Sequence, residues 1–291
     1  MSKVRSHYHQ VIDVLAIVLV LNILVAAAKI VYGLIARSSS MTADGFHSLS
    51  DGTSNIVGIV GIAIAMRPRD KDHPYGHKKY ETLCALGIAG MLFFVAFNLA
   101  KEGIGRMIAP VMPQIDETSF IVMLVTLLVN VFVMTYERRR GIMLRSDVLV
   151  ADAMHTKADI MTSFSVIVAL LGVKMGFPIL DPIATIVISA FIVHTAIGIV
   201  RQEAGILCDE VAITDVEGVE GVIRSFDGVR GCHGIRSRGR PDDVHLDVHV
   251  QVDGTMSLQE AHLLSHRIEA GLKGSFPGIT DVLVHIEPRG Q

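Results

Sequence analysis

The chain has 291 residues, 51% of them hydrophobic and 19% charged, with a formal net charge of −3. That apolar excess excludes an ordinary soluble domain, and the near-neutral balance excludes a basic nucleic-acid-binding surface or an acidic tail. Three cysteines, Cys84, Cys208 and Cys232, lack C-x-x-C spacing and cannot frame a disulfide-stapled secreted fold.

Six apolar segments follow one another, near Val11–Ala36, Met41–Met66, Tyr80–Ile108, Thr118–Tyr136, Asp147–Met175 and Asp181–Ala204. As helices, each is long enough to cross a bilayer, which takes about 20 residues. The first is too long for a signal-peptide core and is followed by five more, so it reads as a retained helix. Within it Lys29 is too far from Asp13 to pair, and is expected to snorkel outward. Arg67, Arg69 and Lys71 after the second segment, and Arg138, Arg139, Arg140 and Arg145 after the fourth, place those loops in the cytoplasm. Both termini then lie in the cytoplasm, and the protein is expected to be multi-pass in the inner (plasma) membrane. Asn22, Asn55, Asn98 and Asn130 suit hydrogen bonds between helices. Gly58 with Gly61, and Gly87 with Gly90, suit close helix contact.

Beyond Cys208 the pattern changes. Thr214–Phe226 and Ser257–Phe276 have helical periodicity, whereas Gly228–Arg236, Val244–Val252 and Ile279–Glu287 read as strands. The order αββαβ predicts a small α+β domain with helices on one face of a sheet. The chain therefore divides into an α-helical membrane domain with a six-helix bundle, 1–207, and a cytoplasmic domain, 208–291. At about 80 residues the second is small for independent stability, which favours a dimer.

Two stretches carry ionisable groups where they should be scarce. ADGFHSLSD holds Asp44, His47 and Asp51, and ADAMHTKAD holds Asp152, His155 and Asp159. Residues i, i+3 and i+7 of a helix fall within an arc of roughly 60°, so each trio shares one face. An Asp at the centre of a membrane helix costs roughly 2.5–3.5 kcal/mol, so the faces must meet each other, water or a cation. Facing each other, His47, Asp51, His155 and Asp159 supply two imidazole nitrogens and two carboxylates, a set that suits tetrahedral Zn²⁺. A buried network that only holds helices together is the alternative. Asp44 and Asp152, one turn further along, are open between groups that support the ligands, vestibule acids, helix-end residues and ligands themselves.

Six spans, H-x-x-x-D in helices 2 and 5, the loop HPYGHKKYE from His73 and an αββαβ tail resemble the cation diffusion facilitator family over nearly the whole chain. The resemblance implies a homodimer in the lipid bilayer with a metallochaperone-like cytoplasmic domain, exporting divalent metal in exchange for protons. It places the transported ion between helices 2 and 5, on His47, Asp51, His155 and Asp159. It further implies a loop metal site on Asp70, His73 and His77, and a cytoplasmic zinc site between subunits on His233, His249, His262, His285 and Glu287. Glu287 is a methylene longer than the Asp common at that position. Capping of helix 3 is the alternative for His73 and His77, as surface exposure is for the tail histidines. The two His/Asp pairs resemble the zinc-preferring branch, with iron, manganese, cobalt, nickel and cadmium open.

Two rival classes remain. A zinc-dependent membrane hydrolase would need an open coordination position and a base, yet four ligands close the shell and no H-E-x-x-H is present. A metal sensor or scaffold would leave the intramembrane motifs idle.

Overall fold

The computed structural model describes residues 2–35, 39–108, 117–174, 179–213 and 215–289, with side chains left aside at 2–7, 33–35, 39–48, 50–51, 117–120, 122–123, 162–163, 165–174, 180–181 and 184. Six helices come first: α1 (Ser2–Ile35), α2 (Ser39–Ala65), α3 (Lys79–Ile108), α4 (Glu117–Leu144), α5 (Asp147–Lys174) and α6 (Leu180–Leu207). They form one compact unit, Met1–Glu203, and Ala204–Gln291 forms another. Among the described residues, Tyr8–Tyr32, Lys79–Ile108 and Thr185–Leu207 are long and apolar enough to cross a membrane, and Gly52–Ala65 is a shorter apolar stretch.

In the helical unit α1 and α3 each bury one stripe, α5 is buried almost all round from Asp147 to Ala158, and many large apolar side chains lie on the outside. On α1, Val11, Val14, Leu15 and Val18 recur at helical spacing and are fully or almost fully buried. A second cluster joins Leu92, Ala96 and Leu99 of α3 to Ala158 of α5 and to Ile188, Ile192 and Ala196 of α6. Val20, Leu24, Phe94, Phe97, Phe132 and Ile142 are exposed. An outer face this apolar is suited to lipid.

Several expectations change. Helix α4 continues to Leu144, so Arg138, Arg139 and Arg140 lie on the helix, and Arg145 alone of the four occupies the turn, at φ 47°. No proline interrupts ERRRGIML, and Gly141 is its one weak helix former. Lys29 is 5% exposed and does not snorkel. It lies three residues beyond buried Ala26, on the stripe that α1 turns inward. Asn22 and Asn55 do bond between helices, but Asn98 is exposed. A Cβ on Gly58 would lie 2.8 Å from Val148 Cγ1 of α5, and one on Gly61 2.8 Å from Cys84 Cβ of α3. Gly87 and Gly90 are not tight in this way: a Cβ on Gly90 would meet nothing within 4 Å.

The tail has the order α7 (Val216–Arg224), β1 (Val229–Arg240), β2 (Asp243–Val252), α8 (Leu258–Ser275) and β3 (Ile279–Pro288). The sheet runs β1-β2-β3, with β1 antiparallel and β3 parallel to β2. The parallel pair needs a crossover, and α8 supplies it. Val244, Leu246, Val248, Val250 and Val252 alternate inward along β2. They meet Val219 and Ile223 of α7 and Leu264, Ile268 and Leu272 of α8, whose spacing marks one helix face. Helix α8 starts at a capping box, in which Ser257 Oγ accepts from Glu260 N and the Glu260 carboxylate accepts from Ser257 N. The inward alternation leaves His245, Asp247, His249 and Gln251 on the opposite sheet face.

Gly61→Ala is expected to lower the melting temperature of the detergent-purified protein, corresponding to about 1–3 kcal/mol for an overpacked contact. Gly90→Ala should leave it unchanged. Equal melting of the two variants would show that α2 and α3 can separate without loss.

Candidate metal centres

In the helical unit, Asn22, Val25, Ser54, Asn130, His155, Thr156 and Asp159 line a recess with room for about one water-sized group. His155 is 3% exposed, and Asp159, one turn on, is half-buried. His47 and Asp51 lie on α2, but their side chains, with that of Asp44, fall outside the described set.

Asp152 is not among the lining residues. Its Oδ2 accepts from Asn55 Nδ2, and Asn55 Oδ1 accepts from Asn22 Nδ2 at 3.0 Å. The chain Asn22–Asn55–Asp152 thus ties α1, α2 and α5 together through buried polar atoms. Ser54, Thr156 and Asn130 are further lining residues that the H-x-x-x-D motif did not disclose. Ser54 could have been found by counting one turn on from Asp51.

The loop after α2 brings Asp70, His73 and His77 together, with one potential ligand atom from each lying within 4.8 Å of the others. Asp70 Oδ1 accepts backbone N–H groups from His73 at 2.7 Å and from Asp72 at 3.0 Å. The His73 N–H is the largest influence holding the Asp70 carboxyl below its usual range. His73 Nδ1 is 3.2 Å from Oδ1 and His77 Nε2 is 3.3 Å from Oδ2, with the two rings 4.2 Å apart. Gly76 sits at φ +94°, where a side chain would be strained, and its N–H donates to His73 O. The backbone carbonyl of His77 also accepts from Tyr80 N at the start of α3. His77 therefore combines a backbone role at the helix start with an imidazole turned to Asp70. Buried His77 and half-exposed Asp70 and His73 leave one side of the cluster open.

In the tail, strand register sets the cluster. His233 pairs with His249, and His249 with His285, so three histidines lie in a row across β1, β2 and β3. Gln251 pairs with Glu287. His233 Nε2 lies 2.5 Å from Glu287 Oε1 and His249 Nδ1 3.3 Å from Oε2, while Gln251 Nε2 donates to Oε1 at 3.1 Å. The His233, His249 and Glu287 ligand atoms lie within 4.8 Å of one another, and the His285 ring is 4.7 Å from that of His249. The extra methylene of Glu287 lets its carboxylate span both His233 and His249. The fifth expected member, His262, is not in this group: on α8 its Nε2 lies 3.3 Å from His266 Nε2. The period of the helix, i to i+4, could have revealed His266, and the period of the strand Gln251.

Two imidazoles and one carboxylate in each cluster form a mixed N/O donor set suited to borderline divalent metals such as zinc. Each cluster includes one exposed residue, Asp70 in the loop and His233 in the tail.

Comparison with known proteins gives matches along almost the whole chain. The family model described as the cation efflux transmembrane domain matches residues 15–208, and that described as the cation efflux protein, cytoplasmic domain, matches 213–289. An uncharacterised transporter of Methanocaldococcus jannaschii is 32% identical over 91% of this chain and 94% of its own. The manganese efflux system protein MneP of Bacillus subtilis is 26% identical over 94% of each. Among solved structures, the metal-bound C-terminal domain of the CzcD transporter from Thermotoga maritima is 29% identical, covering 26% of this chain and 87% of that one, at a TM-score of 0.25.

Hydrogen bonding, chiefly from His233, holds the Glu287 carboxyl down at about 2, below its ordinary value of 4.5. A depressed carboxyl contributes stability that is present above the unfolded value and is lost as pH falls through the folded one. The tail should therefore lose this contribution between pH 4.5 and about 2. Carboxyl NMR of the metal-free tail is expected to place the Glu287 midpoint near 2 and to return it toward the ordinary range in His233→Ala. An ordinary midpoint in the wild type would show that the contact does not persist in solution.

Proposed function

The chain belongs to the cation efflux family of divalent-metal transporters, and we propose that within it this protein exports Zn²⁺ from the cytoplasm in exchange for protons. It is a multi-pass membrane transporter rather than an enzyme. The observation that carries the zinc reading is the recess between the helices lined by His155 and Asp159. On α2, positions 47 and 51 fall on the same helical face as Ser54, which lines that recess. His47 and Asp51 complete the ligand set in this reading. Imidazole donors favour zinc, whereas an all-carboxylate set would favour harder manganese.

All six helices span the bilayer in this proposal, with both termini in the cytoplasm, set by the basic residues after α2 and α4. Metal binds imidazole in its neutral form and carboxylate in its ionised form, so protons and metal exclude each other at the same atoms. Facing the cytoplasm, the deprotonated site takes up Zn²⁺. Facing outward, protons displace it and return through the same groups. The loop and tail clusters lie outside the transport path and bind zinc as regulatory or dimer-stabilising sites. The tail forms the homodimer contact.

Purified protein in sealed liposomes should carry Zn²⁺ when a pH gradient is imposed and much less without one. Asp159→Ala, and separately Asp51→Ala, should reduce that flux at least tenfold while the protein elutes and melts as a folded species. Retained flux in both variants would refute the ligand assignment.

For the tail, adding Zn²⁺ should raise its melting temperature, because a ligand that binds only the folded state stabilises it by mass action. His249→Ala combined with His285→Ala should remove most of that shift without abolishing transport by the full chain. An unshifted wild-type melt would leave these histidines as surface residues.

A further inference from the structure

The transport reading makes no use of Glu137. This residue of α4 is fully buried, and neither carboxyl oxygen has a hydrogen-bond donor among the described residues. Among the described residues, the ionisable group that acts on it is Asp152, itself 1% exposed, on α5, the helix that packs against α4. No described cationic side chain of α1 or α5, the helices packed against α4, acts on Glu137: His9, Lys29, His155 and Lys157 exert no charge there, and the carboxylate of Asp13 is exposed. Arg140, one turn along α4, has its Nε buried without a partner and does not reach it.

Two carboxylates cannot donate to each other, and two negative charges side by side in an apolar interior repel strongly. One proton resolves both problems. It removes a charge and supplies the missing donor, leaving a single hydrogen-bonded carboxylic acid–carboxylate pair. Asp152 keeps one oxygen for Asn55 Nδ2, and Asn55 is bonded to Asn22, which lines the recess with His155 and Asp159.

We propose that Glu137 and Asp152 form a buried proton-binding pair, distinct from the metal ligands, that holds one shared proton when the recess lacks metal and releases it to water when a divalent cation binds. The release follows from charge: a nearby cation favours the doubly ionised pair, and its departure restores the proton. The coupling rests on the metal–proton exchange proposed above. The existence of the pair rests only on the burial and placement of the two carboxyls.

Infrared spectroscopy of the full-length, metal-free protein at neutral pH tests the pair directly. A protonated-carboxyl C=O band is expected, shifted by ¹³C-labelling of glutamate in the unmutated chain. Glu137→Gln should abolish the band, because the amide supplies the donor that lets Asp152 ionise. Zn²⁺ should reduce the band in the wild type, and proton release measured alongside should fall by about one per Zn²⁺ in Glu137→Gln. Absence of a protonated-carboxyl band, or a band unchanged in Glu137→Gln, overturns the pair even if Zn²⁺/H⁺ exchange in liposomes is intact. A band lost in Glu137→Gln but indifferent to Zn²⁺ overturns the release step. A band that behaves as expected in a protein without Zn²⁺ flux supports the pair and overturns the transport reading instead.

Discussion

Polar groups between membrane helices must satisfy one another, and the arrangement of the helical unit depends on that constraint. Asn55 is its centre, donating to Asp152 and accepting from Asn22. An asparagine side chain is short, so α1, α2 and α5 must approach closely for it to reach both partners. Gly58 permits this approach: one turn from Asn55 on α2, a Cβ there would crowd Val148 of α5 and Leu15 of α1. The same approach brings α2 to the side of α5 that carries His155 and Asp159. The recess is thus a by-product of helices drawn together by amides and kept close by an absent side chain.

The loop and tail clusters obey the opposite condition. Water reaches them, so no buried network is needed to hold their acids. Their carboxylates are instead engaged by neighbouring donors: Asp70 by backbone N–H groups, and Glu287 by His233 and Gln251. Such contacts orient the ligands but also compete with a metal for the same lone pairs. An ion entering the tail cluster must replace the 2.5 Å contact between His233 Nε2 and Glu287 Oε1 with two coordination bonds. Gln251 is a neutral amide and can keep donating its N–H to the carboxylate, a second contact of the kind that orients metal ligands.

Periodicity made much of this legible from the chain alone. The αββαβ tail, the inward alternation of β2 and the shared helix face of His155 and Asp159 all follow from spacing. Spacing also gave the trio Asp70, His73 and His77 as close neighbours in sequence. Features that needed three dimensions were not legible. Whether His262 meets His249 depends on how α8 crosses the sheet, and it meets His266 instead. Lys29 reads as an interfacial cation from its position along α1, whereas its angular position puts it on the buried stripe. Glu137 was hidden inside an arginine-rich run that read as a loop, and only the continuation of α4 to Leu144 turns it toward Asp152.

The shared face of Asp152 and His155 also decides between two roles for the first acid of the repeated motif. If Asp152 were a metal ligand, it would line the recess with His155 and Asp159. It is engaged instead by Asn55 and Glu137, on α2 and α4. The motif in α5 therefore splits its labour along one face: the last two ionisable residues surround the recess, and the first anchors the helices beside it. In the proposed orientation α5 begins at the cytoplasmic side, so Asp152 precedes His155 on the way in from the cytoplasm. A proton held there neutralises the approach to the recess until a cation arrives, which separates the group that senses charge from the groups that bind the metal.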